Sequence, residues 1–179
     1  MDATTYQRRL ATAGLALIIV ASVAVAAVLG IGLWLSHGVW WAKSSTDARR
    51  NTERQQVLAA AKTCTARILS YDYRTLAASE KAGQACATGQ LKADYTKLMD
   101  TTVKQIAPQS NVVQVFQVEK AGVSSVSPDG KQWVIVVYGQ QQVSSKTITS
   151  GPRLDISNAV VTLNKVGGQW LVSNMTTTS

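Results

Sequence analysis

The sequence predicts an α+β domain carried behind an N-terminal membrane-spanning helix, and three observations predict it. Residues 10–35 contain no ionisable side chain. Residues 57–106 carry apolar side chains at helical spacing, and after Pro108 the period drops to two in stretches rich in valine, isoleucine and threonine. Three helices followed by four antiparallel strands make an α+β domain.

A helix over residues 10–35 covers ~39 Å at ~1.5 Å per residue, more than the ~30 Å hydrocarbon core of a bilayer. The run exceeds the ~7–15 apolar residues of a signal peptide, so a retained anchor is expected. Trp40 and Trp41 follow where a membrane–water interface favours indole rings. Residues 1–9 then form a cytoplasmic tail. The flanking charges oppose this orientation, with Arg8 and Arg9 before the span and Lys43, Arg49, Arg50 and Arg54 after it. Long domains are exported with little regard to such charges, and two later cysteines suit an oxidising compartment, so the domain is placed outside. Within the span Ser22, Ala26 and Gly30 recur every four residues on one helix face, a stripe that lets another membrane helix approach closely.

Beyond the anchor, roughly 135 residues suffice for one folded domain. The 18 Lys and Arg against 10 Asp and Glu are spread along the chain. Without a basic cluster or a stacking module, nucleic acid is set aside as a partner. A basic surface suits anionic headgroups or plain solubility.

Residues 36–56 read as an interfacial segment and a polar helical stalk, with Ser45 or Thr46 as a cap. The extracytoplasmic domain takes up residues 57–179. Val57, Ala61, Cys64 and Ile68 give the first helix a buried face that ends near Ser70. Tyr71 to Arg74 break the pattern, and residues 75–87 form a second helix. Leu91, Tyr95, Leu98, Met99, Thr102, Val103 and Ile106 define the core face of a third, which Pro108 stops. Strands follow over 112–126, with a bulge within 119–122, then over 133–143, 154–166 and 169–175. Ser127-Pro128-Asp129-Gly130 has turn chemistry, and Gly167-Gly168 reads as a two-residue hairpin. From Trp133 to Tyr138 both strand faces are apolar, so one packs on helices and the other is covered or greasy.

Cys64 and Cys86 lie on adjacent helices. A disulfide between them suits an exported domain, and the alternative is two separate buried thiols. No nucleophile elbow, Walker loop or H-E-x-x-H is present, and the single histidine, His37, precedes the domain. Neither enzyme activity, a cofactor nor a metal is expected. Tyr71, Asp72, Tyr73, Tyr95 and Asp155 are the residues best able to line a cavity, although tyrosines on helix faces more often edge a core.

The succession of one span, a long helix, Tyr71-Asp72-Tyr73, Ala85, Thr88-Gly89, Tyr95, Arg153 and Gly168-Gln169-Trp170-Leu171-Val172 resembles the Mce-associated membrane proteins of actinobacteria. That resemblance implies an NTF2-like cone of helices on a curved four-stranded antiparallel sheet. It also implies a non-enzymatic accessory subunit of an MCE-type ABC importer of fatty acids or sterols. The implied partners are MCE-domain proteins, permease subunits and other Mce-associated proteins. Three competing readings stand beside it: a VirB8-like assembly component of a secretion or conjugation channel, a lipid carrier with an apolar cavity, and an isomerase-like enzyme using a tyrosine and an acid.

Overall fold

The structure, a computed structural model, describes residues 47–178. The predicted anchor, with Ser22, Ala26, Gly30, Trp40 and Trp41, lies outside the described residues, among which no helix is long and apolar enough to cross a membrane. A compact unit begins at Thr52. The elements of the described residues are helix α1 (47–69), β1 (Tyr71–Asp72), α2 (Leu76–Gln84), α3 (Gly89–Leu98), a π turn (Met99–Val103), α4 (Lys104–Ser110), β2 (Val113–Val126), β3 (Gln132–Ser144), β4 (Arg153–Val166) and β5 (Gln169–Thr178).

The strands form one antiparallel sheet in sequence order, β1 to β5. Alternation sends one set of side chains inward. Trp133, Ile135 and Val137 on β3 register with Leu163, Val161 and Ala159 on β4, and all six are buried. An unpaired residue bulges β2 between Val118 and Lys120, inside the expected stretch, and a second bulge falls between Val123 and Ser125. Each increases the local twist. Gly167 and Gly168, at φ 57° and 83°, supply the two left-handed residues of the β4–β5 hairpin.

α1 covers the inner face. Val57, Ala61, Cys64 and Thr65, at i, i+4, i+7 and i+8, are its buried positions, and the first three join one core cluster with Phe116, Val137, Val161 and Val172. Each fully buried side chain of this size contributes about 1.5–3 kcal/mol. At the hairpin end Trp133 and Trp170 meet edge to face at 6.2 Å. Lys165 lies over the Trp170 ring and bonds Glu53 of α1 at 2.8 Å, closing that end.

Three expectations are corrected. The sheet has five strands, because Tyr71 and Asp72 pair with Gln114 and Val113; a two-residue strand is too short to show a period. The third helix does not bury Leu98, Thr102 and Ile106, and Leu98 and Ile106 are about half exposed. Its inward positions are Leu91, Tyr95, Met99, Val103 and Ala107, spaced strictly by four. An α-helix of 3.6 residues per turn would rotate such a row off its face, and the wider π turn holds it there. The Thr101 hydroxyl promotes that turn by donating to the Lys97 carbonyl at 2.8 Å, the acceptor its own N–H would use in an α-helix. Lys104 then bridges Asp100 and Glu80 at 2.6 Å each. Pro108 does not stop the helix, which ends two residues later at Ser110 and is capped by left-handed Asn111. Pro108 has no N–H to offer the Lys104 carbonyl, which stands at the exit of the π turn.

Cys64 and Cys86 form a disulfide, with Cα atoms 5.1 Å apart and a sequence separation of 22. In the chain-entropy account, closing such a loop stabilises by about 3 kcal/mol. Replacing both with serine is expected to lower the urea-unfolding free energy by that order while leaving the far-ultraviolet circular dichroism spectrum folded. An unchanged midpoint would show that the crosslink does not hold α1 on the sheet.

Candidate functional site

Along each long strand the inner face changes character. On β4 the inward positions run Arg153, Asp155, Ser157 and then Ala159, Val161, Leu163, polar at one end and fully buried apolar at the other. β3 does the same in reverse, from Trp133 and Ile135 to Gln141. The polar ends coincide away from the hairpin turns. There they form a cleft of about 340 Å³ lined by Leu69, Gln114, Gln141, Arg153, Asp155, Ser157 and Thr177.

α1 sets the edge of this cleft. The Gln114 side-chain amide donates to the Leu69 carbonyl at 2.9 Å, and the Phe116 N–H donates to Ser70 Oγ at 2.9 Å, which ties the helix end to β2. Arg153 and Asp155 stand two residues apart on one strand face, and Nε donates to Oδ2 at 2.7 Å. Ser157 donates weakly to the Thr178 carbonyl at 3.5 Å. The cleft therefore offers amides, hydroxyls and one ion pair to a polar group or a partner's side chains. Its lining does not match the apolar cavity that the lipid-carrier reading requires.

Of the predicted cavity residues, Asp155 reaches the cleft and the tyrosines do not line it. Tyr95 is buried between α3 and α2. Its ring fills the space where a β-carbon at Gly83 would sit, and its hydroxyl donates to the Ser79 carbonyl at 3.3 Å. Burial, reinforced by Glu80, raises its pKa above the ordinary value. Tyr71 lies on β1 beside Gln114, and burial raises its phenol as well. Tyr73 stacks under the Arg74 guanidinium at 5.8 Å. Asp72 is gripped by the Arg74 side chain and backbone N–H, which hold its carboxyl down to about 2. A carboxylate so stabilised is a poor proton acceptor near neutrality. Among the described residues no cluster of His, Cys, Asp and Glu is suited to a metal. Gln114, Gln141, Ser157 and Thr177 escaped the sequence reading, although the polar-to-apolar change along 153–163 was there to be read.

No protein-family model matches the chain. It is 30% identical to the uncharacterized protein Rv1362c of Mycobacterium tuberculosis over 119 residues, 66% of this chain and 53% of that protein. The chain thus spans about half the length of this relative. It is also 30% identical over 149 residues to the outer membrane protein Rv1973 of Mycobacterium tuberculosis, covering 80% of this chain and 89% of that one. Three solved structures share the fold at low identity. An IcmL-like type IV secretion system protein from Legionella pneumophila aligns with TM-score 0.58 and 13% identity, over 70% of this chain and 91% of its own. The periplasmic domain of DotI gives 0.57 and 9%, over 68% and 92%. VirB8 of Agrobacterium tumefaciens gives 0.54 and 16%, over 71% and 92%. The domain is therefore VirB8-type in fold, as the second of the sequence readings expected.

Two outcomes follow from this geometry. Gly83→Val drives a branched side chain into the Tyr95 ring and is expected to destabilise by about 2–3 kcal/mol, read by urea unfolding. The Asp72 carboxyl, lowered in the folded state, contributes stability that is present above its ordinary 3.8 and lost as pH falls towards about 2. Asp72→Asn should therefore flatten the acid limb of stability against pH in that window, and matching limbs for the two proteins would refute the pairing.

Proposed function

We propose a function from one premise: this chain belongs to the family of the Mycobacterium tuberculosis outer membrane protein Rv1973. Its role is that of a non-catalytic assembly subunit, a membrane-held domain that braces the components of a multi-subunit machine in the cell envelope. The observation that carries this reading is the VirB8-type fold, which covers nine tenths of a type IV secretion system protein. In that reading the partners are subunits of a secretion-type channel. Docking is side by side, through polar surfaces such as the cleft, because tethering raises effective concentration and lowers the affinity each contact must supply.

An extracytoplasmic position for the domain, behind an inner-membrane anchor, has three supports. The DotI domain is periplasmic, Rv1973 is named for the outer membrane, and a disulfide persists in oxidising compartments.

A second machine fits the same role, the MCE-type lipid importer. It rests on the sequence resemblance to actinobacterial Mce-associated proteins; the relatives at 30% identity are mycobacterial, and the secretion proteins share 9–16%. In that case MCE-domain proteins and permease subunits replace the channel components.

Purification of the full chain from native membranes in mild detergent, followed by mass spectrometry, separates the two. Secretion-channel subunits support the first machine, and MCE-domain or permease subunits support the second. Recovery of the chain without components of any envelope complex would overturn the assembly role itself.

A further inference from the structure

β5 is the last strand of the sheet, and β4 occupies one side of it only. The other side is taken at a single place. Val172 donates to the Cys86 carbonyl and accepts from the Thr88 N–H, at 2.9 Å each, so that Ala87 lies against it as a short parallel neighbour. Thr88 is still extended, but Gly89, at φ 58°, turns the chain away into α3. Past that turn, among the described residues, no segment other than β4 forms a backbone hydrogen bond with Ser173–Thr178. Alternate residues of an antiparallel strand send their N–H and C=O to opposite sides, and the unpaired Ser173 moves that alternation on by one. Val172 faces the α2–α3 connection, so Met175 and Thr177 present their backbone groups to the open edge.

Edges of this kind are usually guarded. The opposite edge is: β1 covers Val113 and Gln114, Ser70 Oγ accepts the Phe116 N–H, and two bulges with Glu119 and Lys120 interrupt the remainder of β2. β5 holds no charged residue and no proline, and Asn174, Thr176, Thr177 and Thr178 are exposed. A row of main-chain donors and acceptors fits an extended polypeptide. A second copy of this chain suits it poorly. Six residues make a strip ~20 Å long and ~10 Å deep, which buries a few hundred Å², well under the ~1,200 Å² of a specific interface between folded surfaces, and two chains of net charge +8 repel. A linear segment reaches further, because past Thr177 it arrives at the polar cleft, of which Thr177 is one wall. There Ser157 is buried with a single weak contact at 3.5 Å, and the Arg153 guanidinium keeps donors beyond the one given to Asp155. Those donors and the basic chain select carboxylates.

We propose that the free edge of β5, over Ser173–Thr178, takes up an extended acidic segment of another envelope subunit as an added strand that runs on into the polar cleft. The inference rests on the assembly role proposed above and names the chemistry of the partner that meets the cleft. Main-chain pairing at Met175 and Thr177 holds the segment, and its carboxylates beyond Thr177 meet Ser157 and Arg153.

The test titrates the isotope-labelled full chain in detergent with a Thr-Glu repeat peptide of about ten residues, the upper length of a common strand, and follows the backbone amides by NMR. The Met175 and Thr177 amides are expected to shift and to exchange more slowly with solvent. N-methylation of alternate probe residues, which leaves the protein untouched, should weaken binding about tenfold or more, and a Thr-Lys repeat should bind more weakly than Thr-Glu. Thr177→Pro removes one outward N–H at a position where an edge strand tolerates proline, and should cost about fivefold with an unchanged circular dichroism spectrum. Binding that is indifferent to N-methylation or to the sign of the charge, or that leaves both amides unmoved, would overturn the proposal. So would protection of the two amides that grows with protein concentration and needs no peptide, which would make a second copy the occupant. The membrane purification above tests the assembly role separately, so either can fail alone.

Discussion

Cys86 fastens three parts of the domain at one point. Its sulfur bonds Cys64 on α1, its carbonyl accepts the Val172 N–H of β5 at 2.9 Å, and two residues on Thr88 donates to the Val172 carbonyl at 2.9 Å. The resulting parallel bridge between Ala87 and Val172 brings the α2–α3 connection onto the edge of the sheet. α1 is thereby held over the apolar half of the inner face, where Val57 and Ala61 lose all contact with solvent. The polar half stays open as the cleft. A shift of α1 along the sheet would bury Arg153 and Asp155 and expose Val161, so the same constraint fixes both the core and the site.

The motifs that carry the family resemblance take their meaning from this junction. Ala85 and Thr88-Gly89 in one stretch and Trp170 to Val172 in the other are far apart in sequence and adjacent in space. Tyr71 and Asp72 add a strand at the opposite edge of the sheet, and Tyr95 locks α3 against Gly83. Through these contacts they hold the fold together. Two surfaces stand apart from these contacts: a polar cleft at one end of the inner face, and an outer face on which Tyr138, Leu154 and Ile156 are exposed.

Much of this was legible in the sequence. The change of period after Pro108, the turn at 127–130, the double glycine at 167–168 and the buried row of α1 all follow from local chemistry, which acts over a few residues and leaves a periodic trace. The apolar character of both faces between Trp133 and Tyr138 was equally plain, because in a strand every second residue shares a face whatever the fold. The disulfide was one of two readings there, and the attachment of the α2–α3 connection to β5, which sets Cys86 beside α1, chose it.

The sequence by itself determined which segments are helix or strand, where the β turns fall and which strand residues share a face, because propensity and period are properties of neighbours. Only the tertiary structure decided the rest. The exposure of Leu98 and Ile106, the two-residue β1, the burial of Tyr95 and the gathering of Gln114, Gln141, Arg153, Asp155, Ser157 and Thr177 into one cleft depend on contacts between residues well separated in the chain. Such contacts leave no period in the chain, and they become visible once α1 lies across the sheet.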